Sequence, residues 1–267
     1  MPDLTVGGTA IHVNTLGSGA ARVLALHCGL GRSGMWSGVA AALADRATLI
    51  APDFPSHGAS APWAPTPDLH SQATDVAAAL LQEGIHLLGH SFGATVALRV
   101  ALENPGRVAS LTLVEPVLFA AADGAVRDAH RVQDEEFHAA FVAGDHAKSA
   151  RLFNRLWGGG LKWDALPQQT RDAMTAGMPF IVATGPALWD DVHGMLAPGR
   201  LEALPTPVAL LRGSETQPII AAIHAGLVRR IRDARDIVVP GGDHMLVLGH
   251  PDAVARAVQA HLERRAA

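Results

Sequence analysis

The sequence predicts an α/β protein in which a mostly parallel central sheet is flanked by helices and carries an inserted helical lid. Short apolar runs of strand length alternate with helical patterns in both the N-terminal and the C-terminal parts of the chain. That alternation is typical of a parallel sheet that is covered on both faces. Between Glu115 and Pro205 the alternation stops, and helical patterns occur without a convincing strand. Since loops this long are usually functional or form a substructure, we interpret this stretch as the lid.

The elements of the N-terminal part are separated by recognisable turns. Gly7-Gly8 lies between two short runs and predicts a hairpin. Asn104-Pro105 ends the helical pattern that follows Gly89–Gly93. In chain order, the predicted elements are the hairpin strands Leu4–Val6 and Ala10–Val13, a strand at Arg22–His27, a helix at Val39–Leu43, a strand at Ala47–Ala51, a helix at His70–Gln82, a strand at Ile85–Leu88 and a helix at Ala94–Glu103.

The C-terminal part continues the same pattern on either side of the helical stretch. Its last helix begins at Pro251, a residue that is favoured at the first position of a helix. We therefore expect a sheet unit of residues 1–116 and 205–267, with a lid of residues 117–204. The predicted elements are strands at Ala109–Val114, Val208–Leu211 and Asp236–Val239, and helices at Pro218–Ile231 and Pro251–Arg264.

Composition favours a soluble globular protein without a nucleic acid partner. The chain has 267 residues, of which 49% are hydrophobic, and a net charge of −4 without a run of Lys or Arg. Its single cysteine, Cys28, excludes an intrachain disulfide. We find neither a signal-peptide pattern nor an apolar stretch of membrane-spanning length, so we expect a cytoplasmic protein without a membrane partner. No metal-binding motif occurs in the sequence, and we expect no cofactor.

The pentapeptide Gly89-His90-Ser91-Phe92-Gly93 is the strongest chemical signal in the chain. It follows an apolar run of strand length and precedes a helical pattern, as in a nucleophile elbow. Glycines at both ends allow a tight turn, because a side chain at either place would collide with a neighbouring element. The pattern therefore predicts that Ser91 is a nucleophile and that the amide of Phe92 helps to bind the developing oxyanion.

A serine hydroxyl needs a base, and His244 is the best-placed histidine. It follows the last predicted strand in a glycine-containing loop and precedes the final helix, which suits the chain order nucleophile, acid, base. A second oxyanion donor is expected in the loop His27-Cys28-Gly29-Leu30, with Gly29 favoured and Leu30 second. We interpret Cys28 as a small buried residue because its sequence context supplies no adjacent base.

Together these motifs resemble the α/β-hydrolase superfamily, and the resemblance covers nearly the whole chain. It rests on His27-Cys28-Gly29 with Trp36 downstream, on residues 53–60, on the pentapeptide, and on Gly242-Asp243-His244. The resemblance implies the α/β-hydrolase fold and serine hydrolase chemistry, but it specifies little about the substrate. Relatives that are dehalogenases carry Asp at the elbow. Because this chain has a serine there, dehalogenase and epoxide hydrolase chemistry are disfavoured.

The acid of the triad is the point at which the chain departs from its relatives. Many of them have Asp three residues after the glycine that corresponds to Gly213, where this chain has Thr216. Glu215 is one position early and would need a shifted loop. Glu115 ends an otherwise apolar strand directly after the elbow helix, at the edge where some relatives carry the acid. We favour Glu115 as the acid and keep Glu215, or no acid, as alternatives.

The favoured function is that of a cofactor-independent carboxylesterase that cleaves an ester of a small or medium apolar acyl group through an acyl-enzyme. A thioesterase, a lactonase or a carbon–carbon bond hydrolase would use the same triad, and a ligand-binding module on a hydrolase scaffold is the non-enzymatic alternative. Aromatic and methionine residues of the helical stretch and the nearby loops suggest an apolar pocket. The candidate pocket residues are Leu30, Trp36, Trp157, Trp163, Met178, Trp189 and Met245.

Overall fold

A seven-stranded sheet forms the centre of the protein. The computed structural model describes residues 4–266. The strands are β1 (Leu4–Val6), β2 (Thr9–Ile11), β3 (Val13–Leu16), β4 (Ala21–Leu26), β5 (Ala47–Pro52), β6 (Ile85–His90), β7 (Val108–Val114), β8 (Val208–Gly213) and β9 (Ala234–Val239). The sheet has the order β3-β5-β4-β6-β7-β8-β9, and only the β3–β5 pair in it is antiparallel. The prediction of a mostly parallel sheet is therefore confirmed.

Helices cover both faces of this sheet. They are α1 (Ser37–Leu43), α2 (Leu69–Ala79), α3 (Phe92–Glu103), α4 (Gly124–Val142), α5 (His146–Trp157), α6 (Gln168–Ala183), α7 (Gly185–Trp189), α8 (Pro218–Val228), α9 (Leu246–Gly249) and α10 (Pro251–Ala266). In β4, Leu24 and Leu26 belong to a core shared with α2, α3 and α8, whereas Val23 and Ala25 belong to a core shared with α1 and α10. Successive side chains of a strand point to opposite faces, so the two cores lie on opposite sides of the sheet.

The chain between β7 and β8 contains helices α4 to α7 and three-residue 3-10 turns at Phe119–Ala121 and Trp163–Ala165. Within it, α4 packs against α5, and α5 packs against α6. A small core of Phe137, Ala150 and Met178 lies among these helices. We call residues 117–204 the helical segment. It leaves the sheet at the carboxyl end of β7 and returns to it at the amino end of the neighbouring parallel strand β8.

The N-terminal strands differ from the predicted hairpin. Residues of β1 and β2 pair with each other, but β3 joins the edge of the main sheet by pairing with β5. The change of partner occurs at His12, whose amide donates to the Ser60 hydroxyl and whose carbonyl accepts from the Asp53 amide. The alternating sequence pattern alone did not show this change, because both pairings use the same period of two.

Candidate active site

Ser91 lies at the sharp turn between β6 and α3, where its backbone has a φ of 54°. A non-glycine residue in this region carries strain on the order of 1–3 kcal/mol, and such residues cluster at active sites. Glycine is required on both sides of the turn. A Cβ at Gly89 would overlap the backbone of Gly93, and a Cβ at Gly93 would overlap the carbonyl oxygen of Leu26. Close packing of the turn therefore accounts for both glycines of the pentapeptide.

His244 reaches Ser91 from the loop after β9. Its Nε2 lies 3.0 Å from the Ser91 Oγ, and both residues are buried. The neighbouring His90 turns away from Ser91, and its Nε2 donates a 2.8 Å hydrogen bond to the main-chain oxygen of His244. Burial, with a smaller contribution from His244, lowers the pKa of His90 to about 3. His90 is therefore neutral and anchors the backbone that carries His244.

Glu115 is completely buried at the carboxyl end of β7, where its backbone has a φ of 50°. Its Oε2 lies 3.2 Å from the Nδ1 of His244. Its Oε1 accepts a 2.7 Å hydrogen bond from the amide of Gly213, and Oε2 also accepts a short hydrogen bond from the hydroxyl of Thr216. Burying a carboxylate without partners is costly, and these donors satisfy both of its oxygens.

Glu215, the alternative acid, lies away from the imidazole. It is exposed, and its side chain has no hydrogen bond or ion pair within residues 4–266. The Glu215 amide donates to the carbonyl of Gly242 and fixes the loop in a register that turns Thr216 toward Glu115. Thr216 therefore stands where many relatives carry the acid and supplies a hydrogen bond to a carboxylate from the neighbouring strand.

Two main-chain amides of residues that line the cavity beside Ser91 were predicted from the sequence as oxyanion donors. The amide of Phe92 is the first of α3, and a helix leaves its first amides without an internal partner. The amide of Gly29 has no hydrogen-bond partner within the described part of the chain. By contrast, the amide of Leu30 donates a 3.1 Å hydrogen bond to the Nε2 of His57, and the Nδ1 of His57 donates to the carbonyl of Pro55. Leu30 is therefore occupied, and Gly29 is the available donor.

The loop that carries Gly29 is held by a second buried histidine. The Nδ1 of His27 donates a 2.7 Å hydrogen bond to the carbonyl of Cys28, and its Nε2 accepts from the amide of Phe54. Burial lowers the pKa of His27 to about 3, so the ring is neutral. Burial also raises the pKa of the Cys28 thiol to about 12, and a thiol that stays protonated is a poor nucleophile.

A cavity of about 830 Å³ lies next to Ser91 and His244. Loops of the sheet edge form one side of it, and helices α4 to α7 contribute most of the other lining. Its volume is within the range of sites that enclose a small molecule, and most of its walls are apolar. The cavity therefore offers space for an apolar small molecule beside Ser91.

The candidate pocket residues fall into two groups. Leu30, Trp157, Trp189 and Met245 line the cavity. The structure places Trp36, Met178 and Trp163 elsewhere. Trp36 is fully buried in the core beside α1 and α10, Met178 is fully buried in the small core of the helical segment, and Trp163 packs against that core. Large apolar side chains fill cores and pockets alike, so residue type did not distinguish the two locations.

An aromatic wall leads along the cavity from His244. The ring of Trp157 lies 4.5 Å from the imidazole, the ring of Phe119 lies 6.2 Å from Trp157, and the ring of Trp189 lies 4.5 Å from Phe119. At the end of this wall, the Nε1 of Trp189 donates a 3.0 Å hydrogen bond to Asp134. The three aromatic residues and Asp134 all line the cavity. We call Trp157, Phe119 and Trp189 the aromatic wall.

Sequence reasoning did not single out Phe119 or Asp134 as site residues. A signal for Asp134 exists, since it lies on the same face of α4 as Phe137 and His138, three and four positions later. A carboxylate on the inward face of a helix is unusual. No comparable signal exists for Phe119, which follows β7 in an irregular stretch whose path only the fold determines.

Residues 4–266 contain no group of three or more His, Cys, Asp or Glu side chains that is arranged to hold a metal ion. In the same range, the helices all lack the combination of length and apolar character that crossing a bilayer requires.

The comparisons with known proteins agree with this architecture. Residues 23–257 match the sequence model of the alpha/beta hydrolase family. An alpha/beta hydrolase from Sphaerobacter thermophilus is similar in structure, with a TM-score of 0.74 over 97% of this chain and 99% of that protein. Their sequence identity is 19%, so this likeness concerns the fold.

Relatives with described activities include esterases. A pimeloyl-[acyl-carrier protein] methyl ester esterase of Nitrosomonas europaea is 41% identical over 105 residues, which cover 39% of this chain and 40% of the relative. The corresponding esterase of Methylococcus capsulatus is 28% identical over 272 residues, which cover 93% and 96%. Matches to the first three relatives span less than half of their lengths.

Proposed function

Since the chain belongs to the alpha/beta hydrolase family, we propose that it is a serine carboxylesterase in which Ser91, His244 and Glu115 form the catalytic triad. The observation that carries this proposal is the continuous contact from nucleophile to base to acid, with 3.0 Å between Ser91 and His244 and 3.2 Å between His244 and Glu115. The esterase activity named for relatives in Nitrosomonas and Methylococcus supports the reaction class.

In the proposed mechanism each group has a role that is compatible with its position. Because the Nδ1–H of His244 donates a hydrogen bond to Glu115, the unprotonated Nε2 of His244 faces the Ser91 hydroxyl and takes its proton as Oγ attacks the ester carbonyl. The amides of Phe92 and Gly29 bind the resulting oxyanion. The alcohol leaves with the proton from Nε2, and a water molecule that His244 activates then hydrolyses the acyl-enzyme. Glu115 keeps the imidazole oriented and stabilises its cationic form.

The shape and lining of the cavity support the proposed substrate class. Its apolar lining favours an ester of a small or medium apolar acyl group, and its volume of about 830 Å³ leaves room for the alcohol portion as well. In this proposal residues 117–204 act as a lid that shapes the cavity, while residues 1–116 and 205–267 carry the chemistry. No step needs a cofactor.

The test is hydrolysis of a panel of p-nitrophenyl esters by the wild-type protein and by Ser91→Ala. We expect turnover that falls by a factor on the order of 10⁶ in the variant, as for removal of a triad nucleophile in general. Acyl-thioesters and lactones in the same panel identify the preferred bond. Turnover of the esters that persists in Ser91→Ala would contradict the proposed nucleophile.

A further inference from the structure

The far end of the aromatic wall carries a polar group that the proposed reaction does not use. Asp134 lies on α4, is 9% exposed and lines the cavity. Its Oδ2 accepts the hydrogen bond from the Nε1 of Trp189. Its Oδ1 has no hydrogen-bond partner within residues 4–266, although a carboxylate oxygen can accept two hydrogen bonds.

The carboxylate also lacks an ion-pair partner. Within the described part of the chain, no basic group lies within 4.0 Å of Asp134. Arg131, one turn earlier on the helix, lies over the Trp189 ring, 5.2 Å from its centroid, and pairs with Glu135 and Asp190 instead. Burial raises the pKa of Asp134 to about 6, partly offset by the hydrogen bond from Trp189 and by the charge of Arg131. An anionic group in this position is therefore costly for the unliganded protein.

We propose that Asp134 is a specificity-determining residue that accepts a hydrogen bond from a hydroxyl group of the ester substrate. The inference rests on the proposed esterase function, since it names a polar feature of the molecule that Ser91 attacks. The aromatic wall connects His244 to Asp134, so an extended substrate that lies along it has the ester at one end and a hydroxyl at the other.

The surroundings favour a neutral hydroxyl over a charged group. A carboxylate on the substrate would be repelled by Asp134, and within the described residues no basic group lies within 4.0 Å of Asp134 to offset the repulsion. An ammonium group would have to lose its hydration between aromatic rings, and desolvation of two charges commonly cancels their attraction. A hydroxyl loses less hydration and satisfies the free oxygen of Asp134.

The experiment compares matched esters that differ only in a terminal hydroxyl or methyl group. One pair is methyl 6-hydroxyhexanoate and methyl heptanoate, in which the acyl chain differs. The other pair is 6-hydroxyhexyl acetate and heptyl acetate, in which the alcohol differs. For each pair the ratio of kcat/KM values for the hydroxylated and the alkyl ester is measured near pH 8, where Asp134 is ionised. The pair that responds shows on which side of the ester the hydroxyl lies.

We expect Asp134→Leu to lower this ratio about tenfold to a hundredfold in one of the two pairs, the effect of losing a hydrogen bond to a charged acceptor. Asp134→Asn keeps the shape and a carbonyl oxygen but loses the charge, so its ratio should fall by a smaller factor. Asp128→Asn is the matched control, because Asp128 is exposed on the same helix. Its ratio should equal that of the wild-type protein.

Binding of the same four esters to the Ser91→Ala variant, measured by calorimetry, separates recognition from turnover. A preference for a hydroxylated ester that disappears in Ser91→Ala/Asp134→Leu supports the inference even if the wild-type protein hydrolyses none of them. Absence of hydrolysis would contradict the proposed function alone. The role of Asp134 would be overturned if removing its carboxylate changed neither the kcat/KM ratio nor the ratio of binding affinities in either pair of esters.

Discussion

The carboxyl edge of the sheet and the helical segment contribute to the same cavity in different ways. At the edge, Ser91 and Glu115 are held by strained backbone, with φ values of 54° and 50°, and by hydrogen bonds from main-chain amides. In the helical segment, the contribution consists mostly of apolar side chains, and Asp134 is the acidic residue among those that line the cavity. In the proposed esterase, the edge therefore carries the reaction, whereas the segment selects the substrate.

Among variants that distinguish the sheet edge from the helical segment, Glu115→Gln is expected to have the largest effect on kcat. The amide keeps the size of the side chain but removes the charge that stabilises protonated His244, so kcat should fall by about 10²–10⁴. Steady-state hydrolysis of a p-nitrophenyl ester measures this change. Glu215→Gln is the matched control, because Glu215 is exposed in the neighbouring loop, and it should retain wild-type kcat. A large loss in Glu215→Gln together with normal turnover in Glu115→Gln would assign the acid to the other loop.

A smaller effect at the same edge is expected from Thr216→Val. This variant keeps the shape of the side chain and removes the hydroxyl that donates to Glu115. Losing one hydrogen bond to a buried carboxylate should lower kcat about tenfold, with little change in KM. Thr216→Ser restores the hydroxyl and should recover most of the activity. If Thr216→Ser and Thr216→Val were equally impaired, packing rather than the hydrogen bond would be the contribution of Thr216.

In the helical segment, the corresponding prediction concerns Asp134 and the pH dependence of the free energy of unfolding. Burial raises the folded-state pKa of Asp134 from 3.8 to about 6. Its protonated form therefore stabilises the fold below about pH 4, and this contribution is lost as the pH rises through about 6. Asp134→Asn does not titrate, so relative to the wild-type protein its free energy of unfolding should increase between these pH values by on the order of 2 kcal/mol.

Urea unfolding of both proteins at several pH values tests this prediction, with Asp128→Asn as the exposed control. The control should show no comparable pH-dependent difference. A difference between Asp134→Asn and the wild-type protein that stays constant with pH would show that the Asp134 carboxyl does not titrate as its burial implies.

The sheet and its loops could be predicted from the sequence because local patterns determine them. The alternation of strands and helices predicted the parallel sheet, and the glycines around Ser91 predicted a turn that the packing of Gly89 and Gly93 explains. Glu115 was singled out because a carboxylate at the end of an apolar strand needs a partner. That Thr216 donates to this carboxylate was not predictable, since it depends on how two loops meet across the sheet edge.

Less of the helical segment could be predicted from the sequence. Its helical character followed from periodicity, but the side chains that face the cavity depend on how helices pack on each other and on the sheet. Trp36 is the same residue type as Trp157, and Met178 is the same type as Met245. Trp36 and Met178 nevertheless lie in cores, whereas Trp157 and Met245 line the cavity. Neither composition nor spacing encodes this distinction.

The most direct test of the account is to identify the residue that reacts with a fluorophosphonate, a reagent that modifies activated serines. Peptide mass spectrometry of the labelled protein should locate the adduct on Ser91, and Glu115→Gln should be labelled more slowly than Glu215→Gln. These results would place the activated nucleophile at the sheet edge and its acid on β7. An adduct on a different residue, or ester hydrolysis by a protein whose Ser91 remains unmodified by the reagent, would contradict the account.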